Sequence, residues 1–316
     1  MRVNSSLALL ITTLLSVTSS PLAMSAQKSH PTEADPTQND PPLNLKPPAS
    51  AEEIKISSPR GPLNGLLYLP AGPGTHPIVL FLHGYPGNER NLDWAQAVRR
   101  AGYAVAFFDY RGIFGTPGTF SWANGREDVA AALAWLRSPE IARKYRLDTA
   151  RIAIVGHSFG GWLALMSVEH EAPDVCVAAL AAWNAGWAKS RYASHPDEMA
   201  EDLSYYRVTT DGTGGPVHAD PEALVREGND DPEQWNYLSQ VGTLKKRALW
   251  LVAASRDSAD ENIERHQELA SAIRAQGGTL VQLLTLEDDH VFSSHRIALA
   301  QTLIHWLRTD CARTQP

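Results

Sequence analysis

The sequence predicts an α/β fold: a mostly parallel, doubly wound sheet with a leading antiparallel hairpin and one cap excursion. Three observations carry that reading. From Ile54 onward, short apolar runs alternate with stretches of helical spacing, as a parallel sheet covered on both faces requires. The run Arg151-Ile-Ala-Ile-Val-Gly-His-Ser-Phe-Gly-Gly-Trp162 passes from β-branched residues through a glycine-flanked serine into a helical stretch. The alternation lapses once, between Asn184 and Gly242, where Trp, Tyr, Asp, Gly and Pro are frequent and no strand is evident.

The elements follow in order. Glu53 to Ser58 and Leu63 to Leu69 flank a Pro- and Gly-containing turn and read as an antiparallel hairpin. Pro77 to Leu82 is a continuous apolar run, suited to a strand buried on both faces. Further strands are expected at Ala104–Phe108, Ile152–Val155, Val175–Ala181, Leu249–Ala254 and Leu280–Leu286. Helices are expected at Asn91–Ala101, Arg126–Leu136, Gly160–His170, Glu261–Gln276 and Ser294–Leu307.

Ahead of this pattern, Arg2 precedes an apolar run from Leu7 to Val17 and small residues around Ala23, Ser25 and Ala26, which reads as a secretory signal over residues 1–26. The run falls short of the roughly 20 residues a bilayer span needs, so no membrane span is expected after its removal. Residues 27–51 are polar and Pro-rich and read as a disordered spacer. The folded domain is expected over residues 52–316, with 184–242 as a cap or lid, in an exported protein, periplasmic or secreted. A chain of 316 residues has room for two average domains, but a single large α/β domain suits the pattern. A net charge of −7 without a basic cluster argues against nucleic acid as a partner. Cys176 and Cys311 are the only cysteines. An oxidising compartment would permit their pairing, but Cys176 reads best as a small buried residue of a strand.

Gly156-His157-Ser158-Phe159-Gly160 matches G-x-S-x-G between a strand and a helix, the context in which that pentapeptide forms a nucleophile elbow. The turn crowds the backbone, so Gly156 and Gly160 leave room and Gly161 allows close helix packing. A serine hydroxyl needs a base to take its proton and an acid to orient that base. Asp257 follows the strand ending at Ala254, and His290 follows the strand ending at Leu286, so all three sit at the carboxyl edge of the sheet. Asp260 and His295 are the rivals; the strand-end positions favour Asp257 and His290. His157 occupies the variable elbow position and reads as packing beside the turn. Asp288, Asp289, His290 and His295 lack a second cluster to complete a metal site, and the chemistry needs no cofactor. Two amides suit a developing oxyanion: that of Phe159, and that of Tyr85 in His83-Gly84-Tyr85-Pro86-Gly87, with His83 bracing the loop.

With these residues in place the chain resembles the α/β-hydrolase superfamily over roughly Ile54 to Leu307, and within it the prolyl oligopeptidase-like and dienelactone hydrolase-like catalytic domains. The similar pieces are HGYPG (83–87), GYAVAFFDYRG (102–112), EDVAAALAWL (127–136), RIAIVGHSFGG (151–161), SRD (255–257) and DDHVF (288–292). The resemblance implies an α/β-hydrolase fold, a Ser158, Asp257, His290 triad and an oxyanion hole at Phe159 and Tyr85. The chain departs from the pattern where Ala254 replaces a usual glycine and Ser258-Ala259 replaces a usual Val-Pro. The HG-x-P form is shared with epoxide hydrolases and dehalogenases, but those use an aspartate nucleophile. The expected activity is cleavage of a carboxylic ester, thioester or amide through an acyl-serine. The substrate would be a small acyl ester or a short peptide, and a binding protein that kept the fold is the reading of another class. Trp183, Asn184 and Trp187 are placed to wall the acyl pocket, and Tyr205, Tyr206, Trp235 and Tyr237 to form a lid or simply to pack the excursion.

Overall fold

A computed structural model describes residues 35–169, 171, 174–257 and 262–316. The signal segment, the first part of the spacer and the rival acid Asp260 lie outside the described residues. Eight strands form one sheet: β1 (Ser50–Ile56), β2 (Leu63–Leu69), β3 (His76–Leu82), β4 (Ala104–Phe108), β5 (Leu147–His157), β6 (Cys176–Leu180), β7 (Leu249–Ala254) and β8 (Val281–Leu286). Their spatial order is β1-β2-β4-β3-β5-β6-β7-β8. The expected hairpin is present as β1 against β2, and β2 also runs antiparallel to β4. Every other pairing is parallel.

Successive residues of a strand face opposite sides, and the two halves of the core divide accordingly. Ile78, Leu80, Ile152 and Ile154 join one cluster with α2 (Trp122–Arg137), α4 (Phe159–Met166) and α10 (Asn262–Ala275). Val79, Phe81, Val105, Phe107, Ala153 and Val155 join the other with α1 (Leu92–Arg100) and α11 (Arg296–Trp306). A strand covered on both faces has no polar side to display, which is why β3, β4 and β7 read as unbroken apolar runs. Helix α3 (Pro139–Tyr145) was not expected; Pro139 opens it, and seven residues are too few to show a helical period.

The excursion holds five short helices: α5 (Ala185–Arg191), α6 (Pro196–Thr209), α7 (Pro221–Arg226), α8 (Pro232–Trp235) and α9 (Val241–Leu244). No strand crosses it among the described residues. Backbone bonds tie it to the loop after β4, from Phe114 N to Pro216 O at 3.1 Å, His218 N to Gly112 O at 2.7 Å and Phe120 N to His218 O at 2.9 Å.

Two expectations need correction. The latter part of the presumed spacer is tied down rather than loose. Asp35 accepts from the Thr37 amide at 2.9 Å, Arg100 Nε donates to Pro36 O at 2.5 Å, Gln301 donates to Asp35 at 2.8 Å, and β1 already begins at Ser50. The segment buries little of its own apolar surface but borrows donors from α1 and α11. Cys176 is buried in β6 as expected, but it is also bonded to Cys311, 135 positions further along the chain, with the Cα atoms 5.6 Å apart. The bond ties the start of β6, at the edge opposite the strand ends that carry Ser158, to the segment after α11.

Candidate active site

The turn between β5 and α4 has to be tight because the two elements almost touch. A Cβ on Gly156 would lie 2.0 Å from Gly160 O, one on Gly160 would lie 2.1 Å from Leu82 O, and one on Gly161 would meet Ala182 Cβ at 2.7 Å. No side chain fits at these points. Ser158 itself sits at φ 58°, ψ −122°, a strained conformation for any residue with a Cβ, held because its amide donates to Leu180 O at 2.9 Å and its carbonyl accepts from Trp162 N and Trp183 N. The strain lifts the hydroxyl off the strand end and into a cavity that it lines together with His290.

His290 is oriented from behind. Its Nδ1–H donates to Asp257 Oδ2 at 2.5 Å, which leaves Nε2 as the basic nitrogen. The Asp257 side chain is nearly inaccessible, and its Oδ2 also accepts from Asn262 Nδ2 at 2.8 Å, while Asn262 Oδ1 takes the Ala254 amide at 3.0 Å. Asn262 therefore locks the acid to the end of β7. Nothing in the sequence marked it beyond its place in the first turn after the acid. The loop carrying His290 is fixed twice more. His157 Nε2–H donates to His290 O at 2.7 Å, and Asp288 accepts from the amides of Asp289 and Ser294 and from His295 Nδ1. Burial first, and then the neighbouring imidazole of His290, push His157 down to about 3, so it stays a neutral donor. His295, the rival base, is spent on Asp288. Among the described residues no group of three or more acidic, histidine or cysteine side chains could hold a metal ion.

The second expected donor loop lies over Ser158. A Cβ on Gly84 would come within 3.0 Å of Ser158 Cβ and 3.4 Å of its Oγ, so the glycine lets His83-Gly84-Tyr85 cross the hydroxyl closely. The amides of Phe159 and Tyr85 have no acceptor among the described residues. His83 braces this loop from inside: its Nδ1–H donates to Gly84 O at 2.7 Å, its ring lies 4.4 Å from that of Tyr110, and burial pushes it down to about 4.

The cavity has a volume of about 380 Å³. Ser158, Phe159 and His290 form its floor, and Tyr85, Trp122, Trp183, Asp202, Tyr205 and Tyr206 complete it. Trp183 is where the sequence placed it, but the other two proposed wall residues are not. Asn184 is buried and caps α5 through Trp187 N at 3.3 Å while its Nδ2 donates to Asn236 Oδ1 at 2.9 Å. Trp187 lies under the guanidinium groups of Arg191 and Arg265, 4.9 Å and 5.2 Å away. Of the four aromatic lid candidates, Tyr205 and Tyr206 reach the cavity. Trp235 instead stacks on Trp162 at 5.5 Å, and Tyr237 is fully buried. Trp122 and Asp202 were missed. For Asp202 a signal existed, since its i, i+3 and i+4 spacing to Tyr205 and Tyr206 puts all three on one helix face. A larger groove of about 830 Å³ beside the turn of the hairpin is lined by Ser57, Arg60, Glu127 and Ser138, but no histidine reaches it to activate a hydroxyl.

Comparison with known proteins agrees with this fold. The sequence is 27% identical over 182 residues to a cutinase of Thermobifida fusca, a match covering 55% of this chain and 56% of that protein, so the chain spans about half the length of the curated relatives it matches. The structure resembles an esterase of Pyrococcus furiosus with a TM-score of 0.58 at 19% identity, covering 82% of this chain and 91% of that one. It also resembles dipeptidyl peptidase 4 of Porphyromonas gingivalis with a TM-score of 0.59 at 19% identity, covering 82% of this chain but 35% of that one. Residues 79–308 match the alpha/beta hydrolase family, and the chain belongs to it.

Proposed function

We propose that the protein is a serine esterase that works through an acyl-serine intermediate. Ser158 Oγ attacks the ester carbonyl while His290 Nε2 takes its proton, and Asp257 steadies the imidazolium that forms. The carbonyl oxygen becomes negative and is met by the Phe159 and Tyr85 amides. His290 then gives its proton to the leaving alcohol, and a water molecule repeats the sequence to free the acid and restore Ser158. The observation that carries this reading is the short Nδ1 contact of His290 to Asp257 in a cavity it shares with a serine held at positive φ.

Esters are preferred to amides as substrates because the relatives named above include a cutinase and an esterase, and because an open cavity of this size takes a small acyl group without further domains. Labelling with a fluorophosphonate, together with hydrolysis of p-nitrophenyl esters of graded length beside matched p-nitroanilides, tests the proposal. Wild type is expected to label and Ser158→Ala to lose label and at least about 10⁴-fold in kcat. Equal reactivity of the two proteins would leave a binding protein on a hydrolase fold as the better reading. Faster turnover of anilides than of esters would favour a peptidase.

Export to an oxidising compartment is part of the same proposal. The Cys176–Cys311 bond supports it, since such bonds persist where thiols are not kept reduced. Amino-terminal sequencing of protein recovered outside the cytoplasm should begin near residue 27; a chain recovered with its leader intact in the cytoplasm would overturn it.

A further inference from the structure

The cavity beside Ser158 holds one charged group for which the hydrolytic steps have no use. Asp202 projects from α6 beside Tyr205 and Tyr206, and Tyr85, Trp122 and Trp183 form the rest of the wall. The rings brace one another: Tyr85 lies 5.2 Å from Trp122, 5.9 Å from Tyr205 and 5.6 Å from Tyr206, and Trp122 lies 5.0 Å from Trp183. One oxygen of Asp202, Oδ2, accepts the hydroxyl of Tyr192 in a short bond, and Oδ1 has no partner among the described residues.

The charges around this carboxylate are few. Burial pushes it above its ordinary range, and the Tyr192 hydroxyl and then the Lys189 ammonium oppose that shift. Lys189 does not line the cavity; its Nζ donates to Leu224 O and Val225 O at 2.8 Å each. Glu198 and Glu201 carry the same negative charge and add to the upward push, so Lys189 is the one cation among the groups that act on Asp202. A simple hydrocarbon acyl chain would be served better by leucine at this position, because a partly dehydrated carboxylate with an unused oxygen costs free energy that an apolar ligand cannot offset. A cation would offset it. Ammonium groups are also drawn to the faces of Trp and Tyr, so rings and carboxylate favour the same ligand chemistry.

We propose that Asp202 and the five aromatic side chains around it form a receptor for a substrate ammonium group, so that the enzyme selects esters that carry a positive charge near the scissile bond. The proposal rests on the esterase reading of Ser158. Asp202 selects the substrate and moves no proton in the reaction. The charge is accommodated on either side of the ester, and the two arms of the test separate an amino acyl group from an amino alcohol.

The test pairs each charged ester with a neutral isostere in which carbon replaces nitrogen. Butyrylcholine is set against 3,3-dimethylbutyl butyrate for the alcohol side, and the p-nitrophenyl ester of 4-(trimethylammonio)butyrate against that of 5,5-dimethylhexanoate for the acyl side. Wild type should favour the charged member of at least one pair about tenfold in kcat/KM, and phenyltrimethylammonium should quench its tryptophan fluorescence where tert-butylbenzene does not. Asp202→Asn keeps an acceptor for Tyr192; it should bring the ratio close to one and abolish the quenching. Equal kcat/KM within both pairs for wild type, or a preference that survives in Asp202→Asn, overturns the proposal. The wild-type ratios decide alone if the variant does not fold. Failure of the esterase reading shows differently, as absent turnover of all four esters and absent phosphonate labelling, and the fluorescence experiment then decides the receptor by itself.

Discussion

The sheet and the cap are built by different physics. In the sheet, β3, β4 and β7 bury their side chains on both faces, and a two-residue period divides them between the two halves of the core. In the cap, helices of four to fourteen residues are started by local polar contacts: Asn184 caps α5, Asp220 caps α7, Asp231 caps α8, and proline opens α6, α7 and α8. The strand ends of the sheet carry Ser158, Asp257 and His290, proposed above as nucleophile, acid and base, whereas the cap supplies Asp202 and two of the five aromatic wall residues, Tyr205 and Tyr206. In the reading proposed above, a frame fixed by long-range apolar packing carries the reaction, and a region fixed by side-chain contacts contributes to the choice of substrate.

The hardest blow to this division would fall on Asp257, which holds His290 and does not line the cavity. Asp257→Asn should lower kcat about 10⁴-fold, because the neutral amide no longer steadies an imidazolium and can turn its NH2 toward His290 Nδ1, which holds the ring in the wrong tautomer. The loss should be the same for every ester in a length series. A loss that depended on chain length would mean that this residue also shapes the pocket and that the two roles overlap.

The disulfide tests how far the stability of the frame is separate from its chemistry. Cys176 and Cys311 join the end of the sheet remote from Ser158 to the last turn of the chain, closing a loop of 135 residues. Replacing both with Ala should cost about 2 to 4 kcal/mol by urea denaturation, with kcat of the folded protein unaltered. A drop in kcat at constant fold would show strain transmitted along β6 to the elbow.

Acid should strike the frame first. His83, His157 and His266 are buried, and burial pushes them down to about 4, about 3 and about 4. The unfolded chain takes up protons near pH 6.5 and the folded one does not, so the stability these groups allow is complete above about pH 6.5 and falls as the pH drops toward 4. Neither ring nitrogen of His266, on α10, has a partner among the described residues, so it can be replaced without breaking a bond to them. His266→Phe should leave stability near neutral pH little changed and raise it by about 1 to 2 kcal/mol at pH 5 relative to wild type. An acid slope identical to that of wild type would show that the imidazole is hydrated in solution.

The same contrast explains what could be read from the sequence. Ala104–Phe108 and Leu249–Ala254 were found to the residue, because an apolar run five or six residues long between turns has few alternatives. Ser158, Asp257 and His290 were singled out on the same signal, since each lies just past a strand end, of β5, β7 and β8 respectively. The cap helices were not legible: four of the five are four to seven residues long, too short for a hydrophobic period, and their caps are ordinary turn residues. Asn184 was misplaced for the same reason. An Asn just past a strand end serves equally as a pocket residue or a helix cap, and its bonds to Trp187 and Asn236 make it the latter. The cysteine pairing was hidden because residues 135 positions apart reveal nothing of their distance in space until the sheet order is known.

Trp183 and Trp162 sharpen the comparison most finely, because they are near neighbours with rings 6.2 Å apart. Trp162 is fully buried in α4, donates Nε1–H to Trp235 O at 2.8 Å and stacks on that ring, so it belongs to the frame that holds the cap down. Trp183 lies just past β6 and shows part of its ring to the cavity. Trp162→Ala should cost about 3 to 5 kcal/mol of stability. Trp183→Ala should cost less and shift the preferred acyl length by about one or two carbons, because space opened beside Ser158 admits a longer chain and each methylene is worth about tenfold in kcat/KM. The p-nitrophenyl ester series, run alongside urea unfolding of both variants, separates the two effects. If Trp183→Ala unfolds as readily as Trp162→Ala with selectivity unchanged, Trp183 belongs to the frame, and the boundary between reaction and choice has to be drawn closer to α6.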